Sequence, residues 1–328
     1  MLIIGLLVPG FFTAMGWVLL LHPRIGLFNQ IIMGWLGLSA APLPINTVTG
    51  MAWVEGLTLA PLFFLMTSGS FRSMDPALEE AARMAGASSL QVMRRILAPL
   101  LFPATLAACI FVFTTALGAF DVPGTIGLSG RILTFSTYLY VKTSAIEGMP
   151  DYGPPAAFGT CMLVFSGLVS HIYLSVLKQA HRYQIITGKA YRPRLAALGP
   201  FAGLAWSFAG FYVICAFVLP LLLVVWASLL PFYQPPSLRA LSSISFAAFT
   251  RVPWDLVLHG LRNSLTLAVT APTLALAVSI GFSWIVLRSR MRGRLALDLI
   301  AFLPHAVPGL VFALGAVLMA LFVMPDWA

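Results

Sequence analysis

The chain has 328 residues, of which 60% are hydrophobic and only 9% are charged, and its formal net charge is +9. A soluble domain carries about 25% charged residues, so this composition excludes an ordinary soluble globular protein. The apolar residues also come in long runs rather than on alternating faces, which is typical of a membrane protein.

Seven segments of the chain are long and apolar enough to cross a bilayer as helices, which takes about 20 residues. The fifth of them is the longest, and its Pro220 predicts a kink or an early exit from the membrane. The sequence therefore predicts an all-α fold, a polytopic membrane bundle of about seven transmembrane helices. The predicted spans are 1–21, 51–71, 100–120, 154–177, 201–230, 263–287 and 296–322.

Basic residues alternate between the connecting segments, because 13 of the 19 Lys and Arg residues fall in the three segments 72–99, 178–200 and 288–295. The positive-inside rule places these three in the cytoplasm, so we expect a multi-pass membrane protein with these segments inside. The basic runs are short, lie beside spans and are poor in aromatic residues, which argues against nucleic acid as a partner.

The segment 72–99 is polar and helix-prone, and its local pattern predicts two short helices with a sharp turn between them. Asp75 can cap the first helix, and Pro76 suits the first helical position. Gly86 is a natural left-handed stop. Ser88, followed by Gln91, forms a capping box that opens the second helix.

The same segment resembles the EAA loop of binding-protein-dependent ABC importer permeases, and we name residues 72–99 the EAA-like loop. The resemblance rests on Glu80-Ala81-Ala82, Gly86, Ile96 and Pro99, at the family's spacing; Ala98 departs from the usual Leu. It implies a coupling helix that docks in a groove of a cytoplasmic ABC ATPase, in a multi-pass protein of a bacterial cytoplasmic (inner) membrane. The residues assigned to this contact are Glu79, Glu80, Ala81, Ala82, Arg83, Gly86, Ile96 and Pro99.

An internal repeat relates the first span to the last. Pro9-Gly10-x-x-x-Ala14-x-Gly16 matches Pro308-Gly309-x-x-x-Ala313-x-Gly315, an offset of 299 residues. Such an offset suits two fused copies of one membrane domain in parallel orientation. We therefore expect the last four spans of one permease domain in 1–177, a cytoplasmic linker in 178–200 and the first three spans of a second, truncated domain in 201–328.

On this interpretation the second EAA-like loop lies beyond Ala328, and the chain is a fragment of a fused double permease. Four further stretches are similar to the fused permeases of the ferric-iron type, which favours iron(III) as the transported solute. Fused permeases for thiamine, phosphonate and polyamines share this layout, so these solutes remain alternatives. The stretches are 118–128, 187–194, 230–236 and 302–309.

No catalytic pattern is visible, so we expect a non-catalytic subunit without cofactors. A phosphate-binding G-x-x-x-x-G-K-[ST] motif is missing, which assigns ATP binding and hydrolysis to a separate partner chain. The three cysteines are isolated within spans, and the five histidines lack ligand-like spacing, so no metal site is predicted. The resemblance implies an extracytoplasmic solute-binding protein as a further partner, beside the lipid bilayer.

Ionisable residues within membrane spans are costly and often functional. Glu55 and Asp121 lie at the outer ends of the second and third predicted spans, and His305 lies between two prolines in the last. We regard these three as candidate pathway or vestibule residues. Solvated span ends, and a histidine bonded to backbone carbonyls, are the simpler interpretations.

Two other functional classes remain open at this point. A secondary ion-coupled carrier would need acidic or histidine residues at mid-depth, and none is obvious. A membrane-embedded enzyme or structural subunit would need polar residues clustered at one depth. If the protein ends at Ala328, it could also be a non-functional fragment that lacks the second ATPase contact.

Overall fold

The computed structural model describes residues 8–144, 152–182, 199–289, 293, 297 and 309–323. Within these ranges the regular structure is entirely helical, which confirms the predicted all-α class. The helices are α1 (Gly10–Leu21), α2 (Leu27–Leu36), α3 (Val48–Arg72), α4 (Pro76–Met84), α5 (Ser89–Val92), α6 (Ala98–Gly118), α7 (Phe135–Thr143), α8 (Gly153–Arg182), α9 (Ala202–Val213), α10 (Leu219–Ser228), α11 (Leu238–Leu241), α12 (Ala247–Thr250), α13 (Trp254–Arg288) and α14 (Gly309–Val323).

Five described stretches of helix are long and apolar enough to cross a membrane, which confirms the polytopic character of the chain. They correspond to the second to sixth predicted spans. The first and last predicted spans are represented by the shorter helices α1 and α14, so the total of about seven stays a prediction. The five are Val48–Arg72, Ser89–Gly118, Gly153–Tyr173, Ala202–Ser228 and Trp254–Arg288.

The third and fifth spans are interrupted by π-helical turns, at Met93–Leu97 and Ile214–Val218. The second of the two short helices predicted in the EAA-like loop is therefore only the start of the third span, because α5 passes through the turn directly into α6. In the fifth span the chain stays helical past Pro220 to Ser228, so the predicted early exit is wrong. The π-helical turn before Pro220 accommodates the missing N–H.

The chain forms two compact units, residues 1–224 with 308–328, and residues 225–307. In the first unit α3 packs against both α1 and α6, α6 packs against α8, and α14 packs against α7 and α8. Phe135, Leu139 and Leu314 form a buried cluster between α7 and α14. The linker predicted at 178–200 lies outside the described residues over 183–198, and its first residues continue α8 to Arg182.

The second unit contains the end of α10, then α11, α12 and the 35-residue helix α13. The loop between α10 and α11 is closed by a hydrogen bond in which the Trp226 indole N–H donates to the Gln234 carbonyl at 2.9 Å. Helix α13 begins at Trp254, nine residues before the predicted span at 263, and carries no buried residue. Its apolar surface is thus available for lipid or for further helices.

Two segments on the predicted outer side fold into helices that the sequence analysis did not identify, α2 and α7. The fully buried Asn29 of α2 donates to the carbonyls of Leu21 at 2.8 Å and Leu43 at 2.9 Å, and accepts from the Leu43 N–H at 3.0 Å. Helix α7 begins at a capping box made by Thr134 and Thr137. The Asn29 bonds hold α2 against the end of α1, and the Ser136 hydroxyl, which donates to the Ala119 carbonyl at 2.5 Å, holds α7 against the end of α6.

Candidate functional site

The EAA-like loop begins where α3 ends, and its first helix has the predicted caps. Asp75 accepts a hydrogen bond from the Ala77 N–H at 2.9 Å, and Pro76 occupies the first helical position. At the other end Gly86 has a φ of +85°, the left-handed conformation that favours glycine. Both predicted caps are therefore confirmed, and each end of α4 is set by residues within the helix or next to it.

The second half of the loop joins the turn rigidly to the third span. The Ser88 hydroxyl accepts from the Gln91 N–H at 3.3 Å, and the Gln91 side chain accepts from the Ser88 N–H at 2.8 Å, which confirms the predicted capping box. Val92 is 1% exposed and anchors this corner. The sequence analysis did not identify Val92, because the exposure of its neighbours Gln91 and Met93 is known only from the structure.

Helix α4 exposes its surface along its whole length, because none of its residues is buried. The Arg83 guanidinium donates to the Glu79 carboxylate one turn earlier, which supports the isolated helix. Glu80, Ala81 and Met84 are exposed, and Met84 is 88% exposed. A short capped helix with exposed charged, small and apolar groups has the properties of a docking surface.

The remaining residues of the predicted ATPase contact occupy less prominent positions. Ala82 is half-buried on α4. Ile96 is half-buried in the π-helical turn, and Pro99 is exposed at the second position of α6. These two residues shape the passage from the loop into the third span rather than the exposed surface of α4.

On the predicted outer side, the structure brings together two of the three candidate vestibule residues. Glu55 of α3 is half-buried. Thr58, one turn further along α3, and Asp121, which follows α6, both lie beside Gly10 of α1. We name Glu55 and Asp121 the acidic pair. Asp121 lies against α1, because a Cβ atom added at Gly10 would lie 3.3 Å from its Oδ2 and 3.8 Å from Cγ2 of Thr58.

Two nearby carboxyl groups repel each other when both are charged, and a cation beside them reduces this repulsion. The sequence analysis selected both residues but did not predict that Asp121 lies next to α3, nor that Gly10 makes the space. The third candidate, His305, lies outside the described residues. Among the described residues no group of three or more His, Cys, Asp or Glu could hold a metal ion.

With this geometry in place, comparison with known sequences identifies the family. The profile of the family described as "Binding-protein-dependent transport system inner membrane component" matches residues 1–183. This is more than half of the chain and includes the whole EAA-like loop and the acidic pair. The chain belongs to this family of transport permeases.

Individual relatives agree with the family. The chain is 25% identical over 339 residues to the ferric transport system permease protein FbpB of Actinobacillus pleuropneumoniae, covering 96% of this chain and 45% of that protein. It is 25% identical over 336 residues to FbpB 1 of Haemophilus influenzae, covering 96% of this chain and 49% of the relative.

A third relative is the spermidine/putrescine transport system permease protein PotB of Escherichia coli. The identity is 32% over 150 residues, which is 45% of this chain and 52% of PotB. The chain thus spans about half the length of each of these curated relatives. No solved structure shows a significant match to the chain.

Proposed function

We propose that this chain is part of the transmembrane permease of an ATP-driven ABC importer that passes a solute from an extracytoplasmic binding protein to the cytoplasm. The observation that carries the proposal is the EAA-like loop, with α4 capped at both ends and exposed along its length. In this proposal the chain is not an enzyme and binds no cofactor, because ATP is bound and hydrolysed by a partner chain.

The proposed coupling works through the two connections of α4. On one side only Ser73, Met74 and Asp75 separate α4 from α3; on the other the Ser88 capping box leads into α5 and α6. Because both connections are short, motion of α4 is transmitted directly to two spans when nucleotide brings the ATPase subunits together. The ATPase must contact α4 differently in its two states, since only differential binding shifts a conformational equilibrium.

Within the proposal, the residues of α4 have separate roles. Glu79, Glu80 and Arg83 supply polar contacts to the ATPase, and Ala81, Ala82, Met84 and Ala85 supply the close-packed face. Gly86 sets the turn, while Ile96 and Pro99 direct the helix into the membrane. The loop faces the cytoplasm of a bacterial inner membrane, as the distribution of basic residues favours.

The proposed cargo is iron(III). Two relatives that align over almost the whole chain are FbpB proteins, and the names of both contain the words ferric transport system permease protein. The acidic pair supports a cationic solute, because carboxylate oxygens suit hard metal cations. In this proposal Glu55 and Asp121 lie in the outer vestibule, and His305 lies along the pathway.

A polyamine is the second candidate cargo, favoured by the higher identity to PotB, 32% over 150 residues. Polyamines are also cationic, so the acidic pair is compatible with either solute. The proposed domain arrangement is the same for both: the end of one permease domain in 1–177, a linker in 178–200 and the start of a second in 201–328.

The test is reconstituted transport. The full-length protein that contains this chain is placed in liposomes with its ATPase, and its binding protein is added outside, loaded with radiolabelled iron(III) or spermidine. Uptake of iron that requires both ATP and the binding protein supports the proposal, and uptake of spermidine alone selects the second cargo. Uptake driven by an ion gradient without the ATPase would overturn it.

A further inference from the structure

Two prolines in different spans leave backbone carbonyls without their own helical donors, and both carbonyls are paired by an aromatic side chain from another span. In α3, Pro61 has no N–H for the carbonyl of Leu57, four residues earlier. The Tyr212 hydroxyl of α9 donates to this carbonyl at 2.9 Å. Pro61 is fully buried, and Tyr212 is 9% exposed.

The second carbonyl belongs to Cys215, in the π-helical turn between α9 and α10. In this turn the Leu219 N–H donates to the carbonyl of Ile214, five residues earlier. The next bond of this kind would join an N–H of residue 220 to the Cys215 carbonyl, but Pro220 has no N–H. The Trp17 indole N–H of α1 supplies the missing bond to the Cys215 carbonyl at 3.2 Å.

The backbones approach closely enough to make this pairing possible. A Cβ atom added at Gly16 would lie 2.3 Å from the Pro220 Cα, so no larger residue fits without moving a helix. Trp17 is 4% exposed, and its ring packs edge-on against Trp53 of α3, with the ring centroids 5.7 Å apart. All of these residues belong to the first compact unit.

We propose that these contacts form a fixed joint between the α9–α10 span and the α1–α3 pair, with Trp17 and Tyr212 as its positioning residues. We name this set the proline joint; it comprises Gly16, Trp17, Leu57, Pro61, Tyr212, Cys215 and Pro220. Water is absent from the hydrocarbon region, so a carbonyl that loses its aromatic donor has no replacement. The joint therefore resists separation, and the three helices move as one body.

The joint has a place in the proposed transport cycle, and this part rests on the proposed function. Leu57 lies on the same helix that ends at Arg72, directly before the EAA-like loop. It is also two residues from Glu55 of the acidic pair. A fixed contact at this point makes α3 tilt together with α1 and the α9–α10 span, so that motion of α4 reaches the outer vestibule.

The experiment is a double-mutant cycle on thermal unfolding of the full-length protein in detergent. Tyr212→Phe removes only the hydroxyl and leaves the Leu57 carbonyl unpaired, with an expected loss of roughly 2 °C in the unfolding midpoint. Pro61→Ala restores an N–H within α3. In the Pro61→Ala background Tyr212→Phe is therefore expected to cause no further loss.

The second arm of the cycle repeats the test with Trp17→Phe and Pro220→Ala. Trp206→Phe, on the 73% exposed Trp206 of α9, and Tyr140→Phe on α7 are matched controls that should leave the midpoint unchanged. Equal losses in the proline and alanine backgrounds, or no loss in either, would overturn the joint. This outcome is independent of transport.

Reconstituted uptake tests the role in the cycle. Tyr212→Phe is expected to lower the maximal uptake rate at least twofold, without raising the concentration of loaded binding protein that half-saturates uptake, and Pro61→Ala should restore the rate. A changed half-saturating concentration with an unchanged maximal rate would overturn this role. If wild-type protein transports nothing, the proposed function fails while the thermal cycle still decides the joint.

Discussion

At the scale of single residues, the chain places glycine where another residue would strain the backbone or collide with a neighbour. Gly86 is the example of strain, because its φ is +85° while nothing lies within 4 Å of an added Cβ. Gly10 is the example of an avoided collision, because the missing side chain leaves room for Asp121 to lie against α1. The first kind of glycine can be recognised from local sequence, and the second only after packing is known.

We predict that Gly86→Val reduces coupling between ATP hydrolysis and uptake. A β-branched residue in the left-handed region costs on the order of 1–2 kcal/mol and favours a different turn. Measured in reconstituted liposomes, uptake per ATP hydrolysed should fall severalfold. Gly86→Asn, which tolerates this conformation, is the matched control, and normal coupling in the valine variant would contradict the assignment.

The acidic pair makes a prediction about affinity for a cationic solute. Neutralising one carboxyl with Glu55→Gln or Asp121→Asn should raise the concentration of loaded binding protein needed for half-maximal uptake, because the outer vestibule attracts the cation less strongly. The uptake assay gives this value directly. Asp255→Asn, in the first turn of α13, is the control, and an unchanged value in both pair variants would remove the vestibule role.

At the scale of helices, α4 depends on its caps because it buries no side chain. Most helices gain their stability from burying one face, and among the described residues α4 has no buried side chain. Its order therefore comes from Asp75, Gly86 and the Glu79–Arg83 pair. This explains why sequence reasoning was accurate for this helix.

We predict that Asp75→Ala destabilises α4 locally by about 1 kcal/mol, because the Ala77 N–H loses its acceptor. Amide hydrogen exchange in α4 should become roughly fivefold faster, while exchange in α6 stays unchanged. Asp75→Asn keeps an acceptor oxygen and serves as the control. Equal protection in the alanine and wild-type proteins would show that other contacts hold the helix.

Contact between helices makes a second prediction at this scale. Gly16→Ala places a methyl group against the Pro220 backbone and should destabilise the protein by about 1–3 kcal/mol. Gly34→Ala, in α2 with nothing within 4 Å, should be neutral or slightly stabilising. Thermal unfolding of the two variants checks the difference, and similar midpoints would contradict the close approach of α1 and α10.

At the scale of the whole molecule, the orientation in the membrane is a prediction that rests on the distribution of basic residues rather than on any contact. Arg94 of the EAA-like loop and Arg24, which follows α1, are both exposed but fall in segments predicted on opposite sides. The family places the chain in a membrane transport system, and its long apolar helices fit that place.

We predict that a cysteine at position 24 reacts with a membrane-impermeant maleimide on intact spheroplasts, while one at position 94 reacts only after permeabilisation. Both variants are made in a protein whose Cys109, Cys161 and Cys215 have been replaced. The cysteine-free protein is the control for background labelling. The reverse labelling pattern would place the EAA-like loop outside and remove the proposed ATPase contact.

Prediction from sequence succeeded for features that depend on near neighbours in the chain. It failed for some short helices and for contacts between segments that are far apart in the sequence. The shorter helices α2 and α7 were missed because they are too short to register as spans. The predicted early exit at Pro220 was wrong because a π-helical turn kept the chain helical to Ser228. The roles of the EAA-like loop and of the acidic pair stay predictions.

The sequence by itself determined the helical class, the presence of several spans and the caps of the EAA-like loop. These features depend on the length of apolar runs and on hydrogen bonds between residues two to four positions apart. Only the tertiary structure decided that Asp121 and Thr58, one turn from Glu55, both lie beside Gly10, and that Trp17 and Tyr212 pair with carbonyls 198 and 155 residues away. Such partners depend on how whole helices pack, which no local pattern encodes.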